Sequence, residues 1–447
     1  MCLLNITPII RKVSMIKDFL KSVLSIKKIA NIFIKEKLSL IFVIFLASVA
    51  VALTTVLYNK LFWISSKIAK ERFIENHSIV FLVVPTFFLV SAYLCRKFAP
   101  NSAGSGTYHV LSALKKLSAP ETRHEGVEEY LSFKTMLITI ISSLISILGG
   151  GALGREGPII QVSACIFVII ANKIKRFIPN FDLRSWITAG SSAGLAAAFN
   201  APLAGIMFAI EELPQFHFEQ KFSRFKISVF FAVIAAGVTA QYLTNYYVLF
   251  DFPLIHFLWD IKTFLLLLLV SSICGVAAWI LKQIITATEK WRNSITGNLW
   301  YFIPISFGLL VALVSVLIGS HSFGSGIMTM QESLGSSHSI LTIQESLGRL
   351  INIIASTSAG CAGGLVLPAI AIGGSIGSVV SKLLPLLDAR MFIISGMAAC
   401  IGALINAPLT AAVLLLEITN QTEFLLPLFI ASLVSSWVCQ RCDNIFT

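Results

Sequence analysis

Residues 149–158 read GGGALGREGP, and this stretch decides the fold. The apolar run MLITIISSLISIL (136–148) leads into it, and IIQVSACIFVII (159–170) leaves it. Arg155 and Glu156 therefore lie inside a long apolar region, where ionisable side chains are costly and mark function. Five of the nine residues 149–157 are glycine, so another group can come close to the backbone. Pro158 suits the first turn of a helix, where its missing N–H is no loss. The stretch predicts a helix that begins at membrane depth, with a carboxylate at its positive end.

Composition sets the same frame. The 447 residues are 56% hydrophobic and 13% charged, with mean hydropathy +0.85. A soluble domain carries roughly a quarter charged residues, so the chain is a polytopic membrane protein. Apolar windows lie at 40–58, 79–94, 136–148, 229–243, 261–281 and 301–318. No alternating β-barrel pattern is present, which makes the spans helical. Several runs fall short of the ~20 residues a crossing needs and are interrupted by Gly, Pro or Asn, which predicts broken and re-entrant helices.

Net charge is +12. Much of it sits in residues 1–38, at Arg11, Lys12, Lys17, Lys21, Lys27, Lys28, Lys35 and Lys37. This is expected to be a basic cytoplasmic segment with an amphipathic helix at an anionic leaflet. A signal peptide fits less well, because no charged, apolar and cleavage regions follow in that order. Nucleic-acid binding is not expected, since the charge lies at span ends. Eight cysteines are scattered. Only Cys439-x-x-Cys442 has metal or redox spacing, without a second pair or a nearby His. No H-E-x-x-H or Walker loop occurs, so neither a metal, a cofactor nor ATP-driven pumping is expected.

The second half repeats the first. Gly324-Ser325-Gly326 echoes Gly104-Ser105-Gly106, an offset of 324 − 104 = 220. Gly364 to Pro368 echoes Gly154 to Pro158, both G-x-x-x-P, at 364 − 154 = 210. Asn406-Ala-Pro-Leu409 echoes Asn200-Ala-Pro-Leu203, at 406 − 200 = 206. Each Asn reaches a glutamate at the same distance, Glu211 and Glu417. Three matches in order predict a duplication, with a first membrane repeat at 39–250 and a second at 251–447. Whether the second is inverted depends on the number of crossings between them, which the residues leave open.

Gly/Pro-interrupted segments in corresponding places point to a transporter's site. The helix starts near Gly104, Gly154 and Gly364 each offer unsatisfied N–H groups and a partial positive charge. Converging, they would hold an anion without a full cation and weakly enough to release it. Ser105 can add a hydroxyl or merely cap its helix. Glu156 is itself an anion there, so it competes with the ion, and a proton relieves the competition. Glu211 and Glu212 can simply end a helix at the interface, Glu417 reads as the duplicated counterpart, and His109 as an ordinary helix position. Gly190 to Gly194 fits G-x-S-x-G around Ser192. That hydrolase motif needs a strand, a sharp turn and triad partners, and here it sits in a run of small residues suited to helix packing. No enzyme is expected.

GSGT (104–107), GREGP (154–158), FNAPLAGIMFAIEE (199–212), GLVLP (364–368) and INAPLTAAVLLLE (405–417) resemble the CLC chloride channel and transporter family. The resemblance implies an all-α homodimer in the plasma (bacterial inner) membrane. Each subunit would have one anion pathway and an inverted repeat of two halves with broken and re-entrant helices. It places Ser105, Gly106, Arg155, Glu156, Gly157, Leu365, Val366 and Phe446 around chloride. Glu156 becomes the external gate and Glu212 the internal proton-transfer glutamate. The implied function is electrogenic H⁺/Cl⁻ antiport. The alternatives are an uncoupled chloride channel or, more distantly, a fluoride or other anion exporter. Three positions depart from the family pattern: Thr107-Tyr108 after the first motif, Val366 for a Phe, and Phe446 for a Tyr. These bear on ion affinity, selectivity and coupling. With Thr447 the last residue, a prokaryotic-type member without a CBS pair is expected.

Overall fold

The computed structural model describes residues 38–117, 126–174, 182–211, 222–245, 248–256, 259–336, 341–383 and 387–446. The basic segment expected at 1–38 lies outside them except for Leu38, and so does Glu212. Among the described residues there are sixteen α-helices and no strand. The first eight are α1 (Leu38–Glu75), α2 (His77–Phe98), α3 (Gly106–Lys116), α4 (Phe133–Leu148), α5 (Glu156–Ile174), α6 (Leu183–Phe199), α7 (Pro202–Glu211) and α8 (Phe222–Leu243). The second eight are α9 (Ile261–Ser294), α10 (Phe302–Ile318), α11 (Ile327–Leu334), α12 (Ile343–Ser358), α13 (Val366–Ser381), α14 (Ala389–Ile405), α15 (Pro408–Thr419) and α16 (Leu425–Phe446).

Among the described residues, α1, α2, α5, α9, α10 and α16 are long and apolar enough to cross a bilayer by themselves. Shorter apolar helices accompany them, among them α4, α7, α13 and α15, as the interrupted hydrophobic runs predict. Short helices survive in lipid only if their ends find partners. Here they find them on one another. α7 and α15 both start just after an Asn in the left-handed region, Asn200 and Asn406, each at φ 56°. The Pro two residues on cannot continue the earlier helix and opens the next.

Element by element, α1–α8 match α9–α16 in order, including the two Gly-Ser-Gly turns before α3 and α11. The glutamates decide the sense of the repeat. Glu211, at the end of α7, accepts hydrogen bonds from Leu409 N (2.9 Å) and Thr410 N (2.6 Å) at the start of α15. Glu417, near the end of α15, accepts from Leu203 N (3.1 Å) and Ala204 N (2.7 Å) at the start of α7. Equivalent helices thus run antiparallel, each closed by the other's acid. Gly154 and Gly364, also equivalent, exchange both backbone hydrogen bonds at 2.8 and 2.7 Å, the pattern of a local two-fold axis. The halves are inverted relative to each other.

Small residues set the packing. Gly373 of α13 and Gly396 of α14 face each other's carbonyls so closely that a Cβ on either would overlap the other chain segment. In the first half Gly190 and Gly194 of α6 bring its backbone against Phe167 and Ser163 of α5. Without a hydrophobic drive between helices in lipid, such contact area is what holds them. Ser192 lies mid-helix in α6 and is fully buried. The strand and sharp turn that a nucleophile elbow requires are not there, so G-x-S-x-G is a packing motif. Cys439 and Cys442 are free thiols, and no metal-binding group occurs among the described residues.

Candidate functional site

The site is built from three helix starts and the three extended linkers that lead into them. Residues 361–364 run between the linkers before α3 and α5. Gly104 N donates to Cys361 O (2.9 Å) and Gly363 N to Gly104 O (3.1 Å), while Gly154 and Gly364 pair as above. These bonds fix the starts of α3, α5 and α13 on one point. Glycine lets them meet. A Cβ on Gly106 would overlap the Gly157 carbonyl, and one on Gly157 would lie 2.9 Å from Gly364 Cα and 3.1 Å from Gly106 N.

Glu156 is the first residue of α5, and its side chain is fully buried. It turns across to α13, where Oε2 accepts from Leu367 N at 3.3 Å. Oε1 has no hydrogen-bond partner among the described residues. The carboxylate therefore occupies the place an anion would take at the start of α13, and is only half satisfied there. Two glycines clear its seat. A Cβ on Gly154 would overlap Oε2, and one on Gly364 would come within 2.9 Å of it. The glycine-rich character of residues 149–157 thus has a specific purpose at Gly154: the nearest atom to its missing side chain belongs to the acid two residues on.

The other expected residues that the structure describes gather at the same point. Ser105 holds the N-cap position of α3, yet its side chain makes no capping hydrogen bond, so the helix-cap reading does not hold and the hydroxyl is available to a ligand. Arg155, Gly157 and Val366 are buried, and Leu365 is partly buried before α13. His109 ties the turn before Ser105, with its Nε2 2.6 Å from Ala103 O. Phe446 is the last residue of α16, and its side chain lies outside what the structure describes, as does all of Glu212.

Two serines support the linkers and were not singled out from sequence. Ser146 Oγ of α4 donates to Ala362 O (3.3 Å), and Ser356 Oγ of α12 accepts from Ala152 N (3.0 Å). Their separation, 356 − 146 = 210, equals that of the G-x-x-x-P motifs, which is the signal that could have found them. An anion at this junction would meet helix dipoles, backbone N–H groups and one hydroxyl, and it would contend with one movable acid.

Comparison with known proteins agrees with this architecture. A family profile described as "Voltage gated chloride channel" matches residues 87–440. The H(+)/Cl(-) exchange transporter ClcA of Vibrio cholerae serotype O1 (strain M66-2) is 28% identical over 399 residues, covering 83% of this chain and 78% of that protein. Among solved structures, a slow cyanobacterial Cl-/H+ antiporter superposes with TM-score 0.75 at 21% identity, over 90% of this chain and 95% of that one. A CLC-type fluoride/proton antiporter gives 0.73, also at 21% identity and the same coverage. A eukaryotic CLC transporter gives 0.73 at 17% identity, over 90% of this chain and 71% of that chain.

Proposed function

The chain belongs to the voltage gated chloride channel family, and on that premise we propose that it is an electrogenic H⁺/Cl⁻ antiporter gated by Glu156. One observation carries the reading: the buried Glu156 carboxylate reaches the α13 start, where Oε2 accepts from Leu367 N, and its Oε1 has no hydrogen-bond partner among the described residues. An ionised carboxylate held this way is exchangeable. An arriving chloride can take its place on the N–H groups, and the displaced acid can take up a proton, which removes its claim on them. Occupancy by chloride and protonation of one side chain are then linked, which is the requirement for exchange.

Ser105 and the starts of α5 and α13 would coordinate the ion, with Gly106, Arg155, Gly157, Leu365 and Val366 around it and Phe446 as a wall. Glu212 would pass the proton on the opposite side. The neighbouring Glu211 supports that choice, because its two oxygens are committed to the start of α15 and it cannot serve as a carrier without opening that helix. The two repeats would divide at 250/251, the protein would work as a homodimer, and its place would be the plasma (bacterial inner) membrane.

The test is flux through reconstituted protein with chloride and proton read together. Glu156→Ala is expected to keep chloride flux and lose proton movement, and Glu212→Gln to lower proton flux with chloride flux retained. Proton pumping by both variants would sink the assigned path.

A further inference from the structure

The second half contains its own Gly-Ser-Gly turn, and it faces a cavity that the transport pathway described above does not use. The cavity, open on one side, lies between the end of α1, the turn 320–326 and the first turn of α11. Lys70, Ser66, Ser320, Ser325 and Thr329 supply its polar wall, and no carboxylate lines it. The hydroxyls of Ser66, Ser320 and Ser325 make no hydrogen bond among the described residues. Ser325 is the counterpart of Ser105, and Gly324 repeats the backbone of Gly104, at φ 71° against 73°.

Behind the wall lies Arg349 of α12, 1% exposed. Its Nη2 donates to Thr329 Oγ1 (3.1 Å) and to His321 O. Its Nη1 packs against Gly326 of the wall and has no hydrogen-bond partner among the described residues. The nearby acids are already paired, Glu332 with Lys70 of the wall itself. Glu332 is 3.1 Å from Lys70 and 3.5 Å from His321 Nε2. Glu345 is taken by His321 Nδ1 (2.6 Å) and by Thr342 N (2.8 Å). A buried guanidinium nitrogen without an acceptor is costly, and here it lies behind Gly326, next to the Lys70–Glu332 pair, the wall's hydroxyls and a helix start.

We infer that this cavity is a second anion site, which takes a small inorganic anion such as a halide. Its position suggests its use. Ile147 lines it, and Phe323 of the same turn packs on Gly150, so it lies at the head of the linker that ends in Glu156. An ion bound here is staged for the gate on that face. Only this staging role rests on the transport reading; the binding does not.

The test is anomalous diffraction at the bromide edge from the full chain, beside chloride dependence of flux in liposomes. A bromide peak by Ser325 and the first turn of α11 is expected, lost in the Lys70→Gln/Ser325→Ala variant. That variant should need about tenfold more chloride for half-maximal flux, at unchanged maximal rate, and Lys70→Arg with Ser325 intact should restore it. A peak at the Glu156 junction without one in the cavity overturns the second site and leaves the transport reading standing. A cavity peak with unchanged chloride dependence marks an adventitious ion only and overturns the staging role. Loss of maximal rate with unchanged half-saturation would also contradict it.

Discussion

At the residue scale the account rests on one carboxylate and the space made for it. Gly154 gives the sharpest probe, because the atoms its Cβ would meet are Glu156 Oε2, Glu156 Cδ and, at 3.1 Å, Pro368 Cδ. Gly154→Ala should therefore push the acid from its seat and weaken proton coupling, while chloride flux continues. In a Glu156→Ala background the same substitution should cost little further, since the obstruction is gone; additive losses in a flux assay of the double variant would contradict this seat. Glu156 was legible in the sequence because an acid flanked by apolar runs and glycines is rare. Its donor was not. Leu367 N lies 211 positions away, and no local pattern shows which backbone N–H a side chain will reach. Ser105 shows the converse: its position at a helix start was legible, but the absence of a capping bond needed coordinates.

At the element scale, α7 and α15 exchange acids, and each exchange closes two of the N–H groups that a short helix start leaves open. One donor of each pair, Ala204 N and Thr410 N, is part-buried, and leaving such a donor unpaired costs roughly 1–3 kcal/mol. Glu211→Ala and Glu417→Ala should each lower unfolding stability by about that amount, read as a shift in the thermal transition of the purified protein, with ion selectivity unchanged. Because both acids serve one helix pair, the double variant should depart from the sum of the singles. Equal spacing from Asn200 to Glu211 and from Asn406 to Glu417 made the pair visible in sequence. That each acid serves the other's helix was not visible, since it follows from their antiparallel packing. The same contacts settle the inversion that counting apolar runs left open, because short helices cannot be assigned as crossings from length alone.

At the scale of the whole molecule, two halves of like parts differ in what they carry at the meeting point. The order Gly-Ser-Gly, G-x-x-x-P, Asn-Ala-Pro-Leu was enough to lay out all-helical halves and their shared junction. The first half brings an acid at position 156; its equivalent in the second, Val366, is apolar, so only one helix start is contested. A symmetric pair of acids would leave no vacant dipole for an ion. Val366→Glu should therefore depress chloride flux strongly, measured as efflux from loaded liposomes, and this loss should persist in a Glu156→Ala background. The asymmetry makes coupling, rather than mere permeation, the central claim. It is tested most directly by holding the protein in liposomes under an outward chloride gradient at equal pH on both sides and following external pH as chloride leaves. Exchange predicts that protons move inward with chloride's exit, against the proton gradient they build, and stop when Glu156 is replaced by Ala. Rapid chloride release with no uphill proton movement would contradict it and make the protein a passive pathway.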